Sequence, residues 1–310
     1  MSTAPSIDSG VRSASDPQDK PTWVGDLSDL TRVRVGLMVL VATATGFWLG
    51  AEEATVPLHW RLLHTLVAMG LLAGGGGALN QVFERESDRR MVRTRNRPLP
   101  AGRMSVKLGW AIGTTLTVAG LSYLLIATTP LAAVLAAGTV FTYAFVYTPL
   151  KRATPLSTLV GAVPGAAPPL IGWSAATGHL HPVAWSLFGL LFFWQLPHFM
   201  AIAWLHRVDY GRSGTQLLTV RDPTGSTAAR HAVSNSIALI FVSLIPGLFG
   251  YSGPLYLCVA LGLGIGFLAL SVWFAVTRTE RAARALLRGS IVYLPAILSV
   301  LVFDALGIVS

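Results

Sequence analysis

Nine long apolar runs, at about 35 to 51, 60 to 80, 107 to 127, 130 to 149, 157 to 176, 183 to 204, 232 to 251, 254 to 276 and 286 to 306, leave this chain little choice of fold. A run of roughly 20 apolar residues is what an α-helix needs to cross the hydrocarbon core of a bilayer. Helices also satisfy their own backbone polar groups where no water can. Composition agrees: 53% of the 310 residues are hydrophobic and 12% charged, against the ~25% charged residues of an ordinary soluble domain. The sequence predicts an all-α, polytopic membrane bundle of about nine transmembrane helices around a central chamber.

Basic residues orient that bundle. With the N-terminus cytoplasmic, every one of the 23 Lys and Arg residues except Arg61 falls on an inner segment, and Arg61 stands at the entrance of a run. Positive charge concentrated on one side is the signature of a cytoplasmic face. The net charge of +9 follows from this bias. No motif that reads bases accompanies it, so it does not point to nucleic acid. Residues 1–30 are polar and contain no apolar run, which predicts a disordered cytoplasmic tail. Acidic residues among them argue against a mitochondrial leader and for a bacterial plasma membrane. The single cysteine, Cys258, lies inside an apolar run and rules out an intrachain disulfide.

Two runs differ from the rest. Residues 155–177, PLSTLVGAVPGAAPPLIGWSAAT, hold several prolines and glycines. These predict a broken helix, tolerated in a membrane where it faces protein or a cavity. The second run ends in NQVFERESDRRMVRTRNRP, residues 80–98. Asn80, Glu84 and Asp88 recur every four residues, so on a helix they share one face and offer hard oxygen ligands to a divalent cation. Arg93 and Arg97 follow at the same interval. Carboxylates beside guanidinium groups suit a diphosphate, whose oxygens a metal and forked hydrogen bonds share. Their alternative is a solvated ladder of ion pairs on a helix extension.

Two more polar loops face the same side. One contributes Lys151 and Arg152, and the other clusters His198, His206, Arg207, Asp209 and Tyr210. Their convergence makes a mouth for an anionic, lipid-like substrate.

The residues from Asn80 to Pro98 resemble the signature Asn-Asp-x-x-Asp-x-x-x-Asp of the UbiA-type intramembrane prenyltransferases. Asn80, Gln81, Glu84 and Asp88 stand in its four places. The Gln81 and Glu84 departures, with Met91, Arg93, Thr94, Arg97 and Pro98 downstream, resemble the haem O synthase branch of that family. So do YTPLKRATP, GAAPPLIGW, WQLPHF and DYGRSG further along, over roughly residues 26 to 225. The resemblance implies one UbiA-type domain over residues 31–310. It implies transfer of farnesyl from farnesyl diphosphate to a vinyl group of haem B, with Mg2+ as cofactor. It places Mg2+ on Asn80, Glu84 and Asp88, with Asp209 as a further ligand. Diphosphate falls to Arg93, Arg97, Lys151, Arg152 and Arg207, and haem to His198 and Tyr210. A haem A synthase or terminal oxidase is the implied neighbour that receives the product.

The resemblance is not complete. In the later loop, Asp209 lacks the second aspartate usual in the family, and Asp222 lies farther along. Arg32, Val33 and Arg34 replace the usual Lys-Pro-Arg near the N-terminus. Two rival functions stay open at this point. One is prenylation of a quinone precursor or chlorophyllide, and the other is a membrane transporter of an anionic lipid-like substrate.

Overall fold

A computed structural model describes residues 22–54 and 58–305. In chain order its helices are α1 (Trp23–Thr31), α2 (Val33–Ala54), α3 (Leu58–Arg90), α4 (Val106–Ala127) and α5 (Pro130–Phe141). A π-helical turn (Thr142–Tyr147) leads into α6 (Thr148–Leu150). There follow α7 (Ser157–Ala166), α8 (Pro168–Thr177), α9 (Pro182–Leu205), α10 (Arg207–Ser213), α11 (Leu218–Arg221), α12 (Ser226–Leu248), α13 (Pro254–Thr277) and α14 (Glu280–Ala305). Nine spans among the described residues are long and apolar enough to cross a membrane, as the apolar runs predict. Consecutive spans pack in sequence and α14 returns to touch α2, so the first and last spans meet.

Boundaries depart from expectation where charge misled the reading. The second run was expected to end at 80, but α3 continues unbroken to Arg90. Its 33 residues reach about 50 Å at 1.5 Å per residue, well beyond ~30 Å of hydrocarbon. The acidic signature therefore rides on a rigid helix end and not on a loop. Likewise α14 begins at Glu280 and not near 286, its charged first turn tied by Arg284 to Glu280 at 2.7 Å.

The tail also needs correction. Residues 1–21 lie outside the described residues, but the expected disorder does not extend to residue 30, because Trp23–Thr31 is helical. Thr22 caps its start by accepting a hydrogen bond from Gly25 N at 3.1 Å. Asp26 and Leu30 turn inward, one helical turn apart.

The expected break in residues 155–177 falls at Ala167, between α7 and α8. The four residues Ala166–Pro169 explain it: Pro168 and Pro169 cannot donate the backbone hydrogen bonds that a continuous helix requires. Most of this span is buried. α8 lies tightly on α2 because Gly46 faces the Pro169 carbonyl and Gly172 faces the Thr43 carbonyl, with no room for a Cβ at either. Gly172→Val should thus lower the melting temperature of the detergent-solubilised protein, by about 2–3 kcal/mol of stability. Gly70→Ala is the control, since its Cβ would meet open space, and it should leave melting unchanged or raise it.

Candidate active site

The charged end of α3 opens onto a cavity of about 400 Å³. Because α3 stays helical, Glu84 and Asp88 stand one turn apart and both line this cavity, with Ser87 beside them. Asp88 is 1% exposed and cannot remain charged there without a partner. Arg97 supplies one: its Nη1 donates to Asp88 Oδ2 at 2.7 Å. The chain reaches that position by a tight turn after Arg90, in which Thr94 Oγ1 donates to the Asp88 carbonyl at 3.0 Å. Glu84 is shared between two cations: Lys151 Nζ approaches Oε1 at 2.5 Å, and an Arg32 amino group lies 3.5 Å from Oε2.

Lys151 is held from three sides. Its carbonyl accepts from Gln216 N at 2.8 Å, and its ammonium lies 4.1 Å from the Tyr147 ring centre besides facing Glu84. Burial pushes its pKa down, but the Glu84 carboxylate and nearby tyrosines lift it above the ordinary lysine range. Arg32 behaves in the same way: burial opposes its charge, while Tyr143, Glu84 and Asp88 more than offset that. Both cations therefore stay charged at neutral pH.

The π-helical turn sets this arrangement. Its extra residue per turn presents Tyr143 and Tyr147 together, rings stacked with centroids 5.9 Å apart. Tyr143 Oη accepts from Arg32 Nη1 at 3.2 Å. Thr148 Oγ1 donates to the Tyr143 carbonyl at 2.8 Å and accepts from Asn80 Nδ2 at 2.9 Å. Such turns recur at functional sites.

Arg93 and Tyr210 join the other two loops across the mouth, Nη2 to Oη at 3.3 Å. Arg152 extends toward Ser87 Oγ at 3.5 Å. Farther along the wall stand Phe83, Met91, Phe199, Ile202 and Leu217. Arg32, Arg93, Arg97, Lys151 and Arg152 outnumber Glu84 and Asp88 on this wall, leaving it net positive and suited to a polyanion with an apolar tail.

The structure thus brings Glu84, Asp88, Arg93, Arg97, Lys151, Arg152 and Tyr210 to one cavity. Asn80 is buried just behind them, with its Oδ1 unpartnered. Three expected residues are elsewhere. Arg207 bends back on its own helix end, donating to the Trp204 carbonyl at 2.7 Å and covering the Trp204 ring. It is not among the residues that line the cavity. Asp209 lies 3.8 Å from Arg212 and is not among the residues that line the cavity. His198 Nδ1 bonds Ser290 Oγ on α14 at 2.7 Å and its ring stacks on Trp194, away from the residues that line the cavity. Arg32 was missed as a site residue. The sequence signal was there, since it occupies the place of a family basic residue, but only the turn between α1 and α2 shows that it points inward.

A metal would find hard oxygen donors here. Among the described residues no three His, Cys, Asp or Glu side chains converge. The donors that line the cavity are the Glu84 and Asp88 carboxylates; Asn80, one turn earlier on α3, is fully buried with its Oδ1 unpartnered and is not among the lining residues. One or two carboxylates, completed by substrate oxygens, is how Mg2+ is commonly held.

Residues 39–294 match the UbiA prenyltransferase family. The chain belongs to that family. It is 45% identical over 290 residues to a protoheme IX farnesyltransferase of Solibacter usitatus, covering 91% of this chain and 99% of the relative. A mitochondrial protoheme IX farnesyltransferase of Arabidopsis thaliana is 36% identical over 271 residues, covering 87% and 63%. The structure of a digeranylgeranylglyceryl phosphate synthase superimposes with a TM-score of 0.77 at 15% identity, over 92% of this chain and 99% of that one. A UbiA homologue from Archaeoglobus fulgidus bound to DMAPP and Mg2+ gives 0.63 at 16% identity, over 89% and 99%. This chain is accordingly a membrane prenyltransferase of UbiA fold.

Asp222 has a different task from catalysis. Its carboxylate accepts from Thr224 Oγ1, Ser226 Oγ and Thr227 N, capping α12. The Thr224 hydroxyl, then the Thr227 N–H, hold it well below the usual carboxylate range. A depressed carboxylate stabilises the fold above its unfolded pKa, about 4, and that contribution is lost as pH falls below it. Asp222→Ala should therefore melt below wild type at pH 7, with the difference shrinking under acid, and should leave prenyl transfer unchanged.

Proposed function

We propose that this prenyltransferase moves a farnesyl group from farnesyl diphosphate to a vinyl group of haem B, giving haem O and diphosphate. The observation that carries the reading is the pairing of Glu84 and Asp88 with Lys151, Arg32 and Arg97 at the polar end of an apolar cavity. The names of the curated relatives supply the acceptor. Mg2+ would be held by Glu84 and Asp88, with Asn80 one turn earlier on α3 as the third donor that the family signature implies, and when bound it would neutralise charge on the departing diphosphate.

The chain's own residues do the rest. Arg93, Arg97, Lys151, Arg152 and Arg32 hold phosphate oxygens by charge-assisted hydrogen bonds. As the C1–O bond breaks, its electron pair goes to the diphosphate, so these cations stabilise charge that grows in the transition state. The vinyl π electrons form the new bond to C1, water adds to the cation that results, and one proton leaves. Phe83, Met91, Phe199, Ile202 and Leu217 keep water from the allylic cation before that bond forms. Tyr210, which lines the mouth beside Arg93, would meet the second substrate.

The positive-inside pattern supports a bacterial plasma membrane with the α3 end and its loops in the cytoplasm. Product leaving that face would pass to a haem A synthase or a terminal oxidase.

Membranes bearing the protein, supplied with haem B, farnesyl diphosphate and Mg2+, should yield haem O by mass spectrometry. Asp88→Ala should reduce the rate by about a hundredfold or more, and chelation of Mg2+ should abolish it. Prenylation of a quinone precursor in place of haem would keep the metal-diphosphate chemistry and replace the acceptor.

A further inference from the structure

Gln81 lies between Asn80 and Glu84 on α3, at a place the family signature gives to a carboxylate, yet it does not face the cavity. It is fully buried, and its Nε2 donates to the Asp29 carbonyl at 2.5 Å and the Leu30 carbonyl at 3.2 Å. These are among the last carbonyls of α1; the Asp29 carbonyl also accepts from Arg32 N at 3.3 Å, so Gln81 reinforces the C-terminal cap of that helix. The side chain thus ties the end of α1 to α3.

A second tie holds the start. Asp26, 6% exposed, accepts from Arg103 Nε at 3.0 Å and from Nη2 at 2.7 Å, and Arg103 also donates to the Asn96 carbonyl at 2.9 Å. That bidentate pair fixes α1 to the turn that carries Arg93 and Arg97. Between the two ties the chain reverses at Arg32, whose φ of 53° is in the left-handed region. The turn rests on Gly77, where a Cβ would meet the Thr31 carbonyl. Only from there does the Arg32 guanidinium reach both Tyr143 and Glu84.

We infer that α1 is a positioning element of the active site, with Gln81, Asp26 and Arg103 as positioning residues that act through Arg32 on Glu84. Arg32 takes one carboxylate oxygen while Lys151 takes the other, which fixes the plane of the carboxylate beside Asp88. Release of α1 leaves Glu84 to Lys151 alone. The inference rests on the reading of Glu84 and Asp88 as the metal and diphosphate site, but not on haem as acceptor.

Gln81→Glu is the sharpest probe. It keeps the side chain's length and restores a carboxylate to the signature, but it removes both N–H donors that meet the α1 carbonyls. Two readouts apply to the purified full-length protein in detergent. Trypsin cleavage after Arg32 and Arg34 reports release of α1, and Mn2+ titration by electron paramagnetic resonance with inorganic diphosphate reports the site. Gln81→Glu should speed cleavage and weaken Mn2+ binding by about tenfold, as expected for a lost hydrogen bond to a charged group's support. In turnover it should raise the half-saturating Mg2+ by a similar factor and change kcat far less. Asp26→Asn, remote from the cavity, should shift both readouts in the same direction, and it decides the matter if Gln81→Glu does not fold. Unchanged cleavage together with unchanged or tighter Mn2+ binding in either folded variant would overturn the inference. A wild type that binds no Mn2+ with diphosphate would instead overturn the site reading on which it rests.

Discussion

Two carboxylates at the end of an apolar helix have to be neutralised, and the architecture around them follows from that requirement. Asp88 is nearly sealed from solvent and Glu84 is little more exposed, so each would be costly to ionise alone. Three separate stretches of chain converge to supply cations: the turn after α3 brings Arg97, the π-helical segment leads to Lys151, and the reversal after α1 brings Arg32. Long-range packing of the bundle is thus tied to local charge balance at one point. The ion pairs are not themselves a source of large stability, since desolvation offsets much of their attraction. Their value is in fixing which side chains face the cavity.

That balance also bears on the two binding tasks proposed for this wall. Every cation that now satisfies a carboxylate is also a donor suited to a phosphate oxygen. Lys151 and Arg97 can turn to a ligand only when their acids acquire another positive partner. On the proposed function, metal and diphosphate would therefore be coupled, each removing an obstacle to the other's binding. Coupling of this kind is reciprocal by thermodynamic necessity.

Much of this was legible beforehand, and the exceptions have physical causes. Apolar runs located all nine spans because burial in hydrocarbon demands a fixed length. The four-residue spacing placed Glu84 and Asp88 on one face, since helical period survives any environment. What hydropathy hid was the last part of α3: charge ends an apolar run but not a helix, so Asn80 to Arg90 read as a boundary when they form a rigid platform. The proline pair at 168 and 169 announced the break in the span from 157 to 177. Arg207 and Asp209 show the converse problem. Their loop does face the cavity through Tyr210, but whether one side chain turns inward depends on neighbours such as Trp204 and Arg212, which spacing does not reveal. The same holds for His198, whose partner Ser290 is 92 residues away. Arg32 escaped for another reason: its role depends on a left-handed turn at a non-glycine residue, a conformation that sequence seldom announces.

The π-helical turn from Thr142 to Tyr147 carries one residue more than a regular helix would need over the same rise. In an α-helix each residue accounts for about 100° of rotation. The wider π turn absorbs the surplus residue, so Thr148 and Lys151 after it keep nearly the phase of a regular helix, while the stacked Tyr143 and Tyr147 rings are presented within the turn. A chain with five residues there, wound as an α-helix, would turn through about the same angle and still cross the bilayer, but its threonine would no longer reach the carbonyl five residues back, the bond that accompanies its hydrogen bond from Asn80. The site is in this sense tuned by counting, and the hydrophobic pattern that builds the bundle exerts no pull on the number.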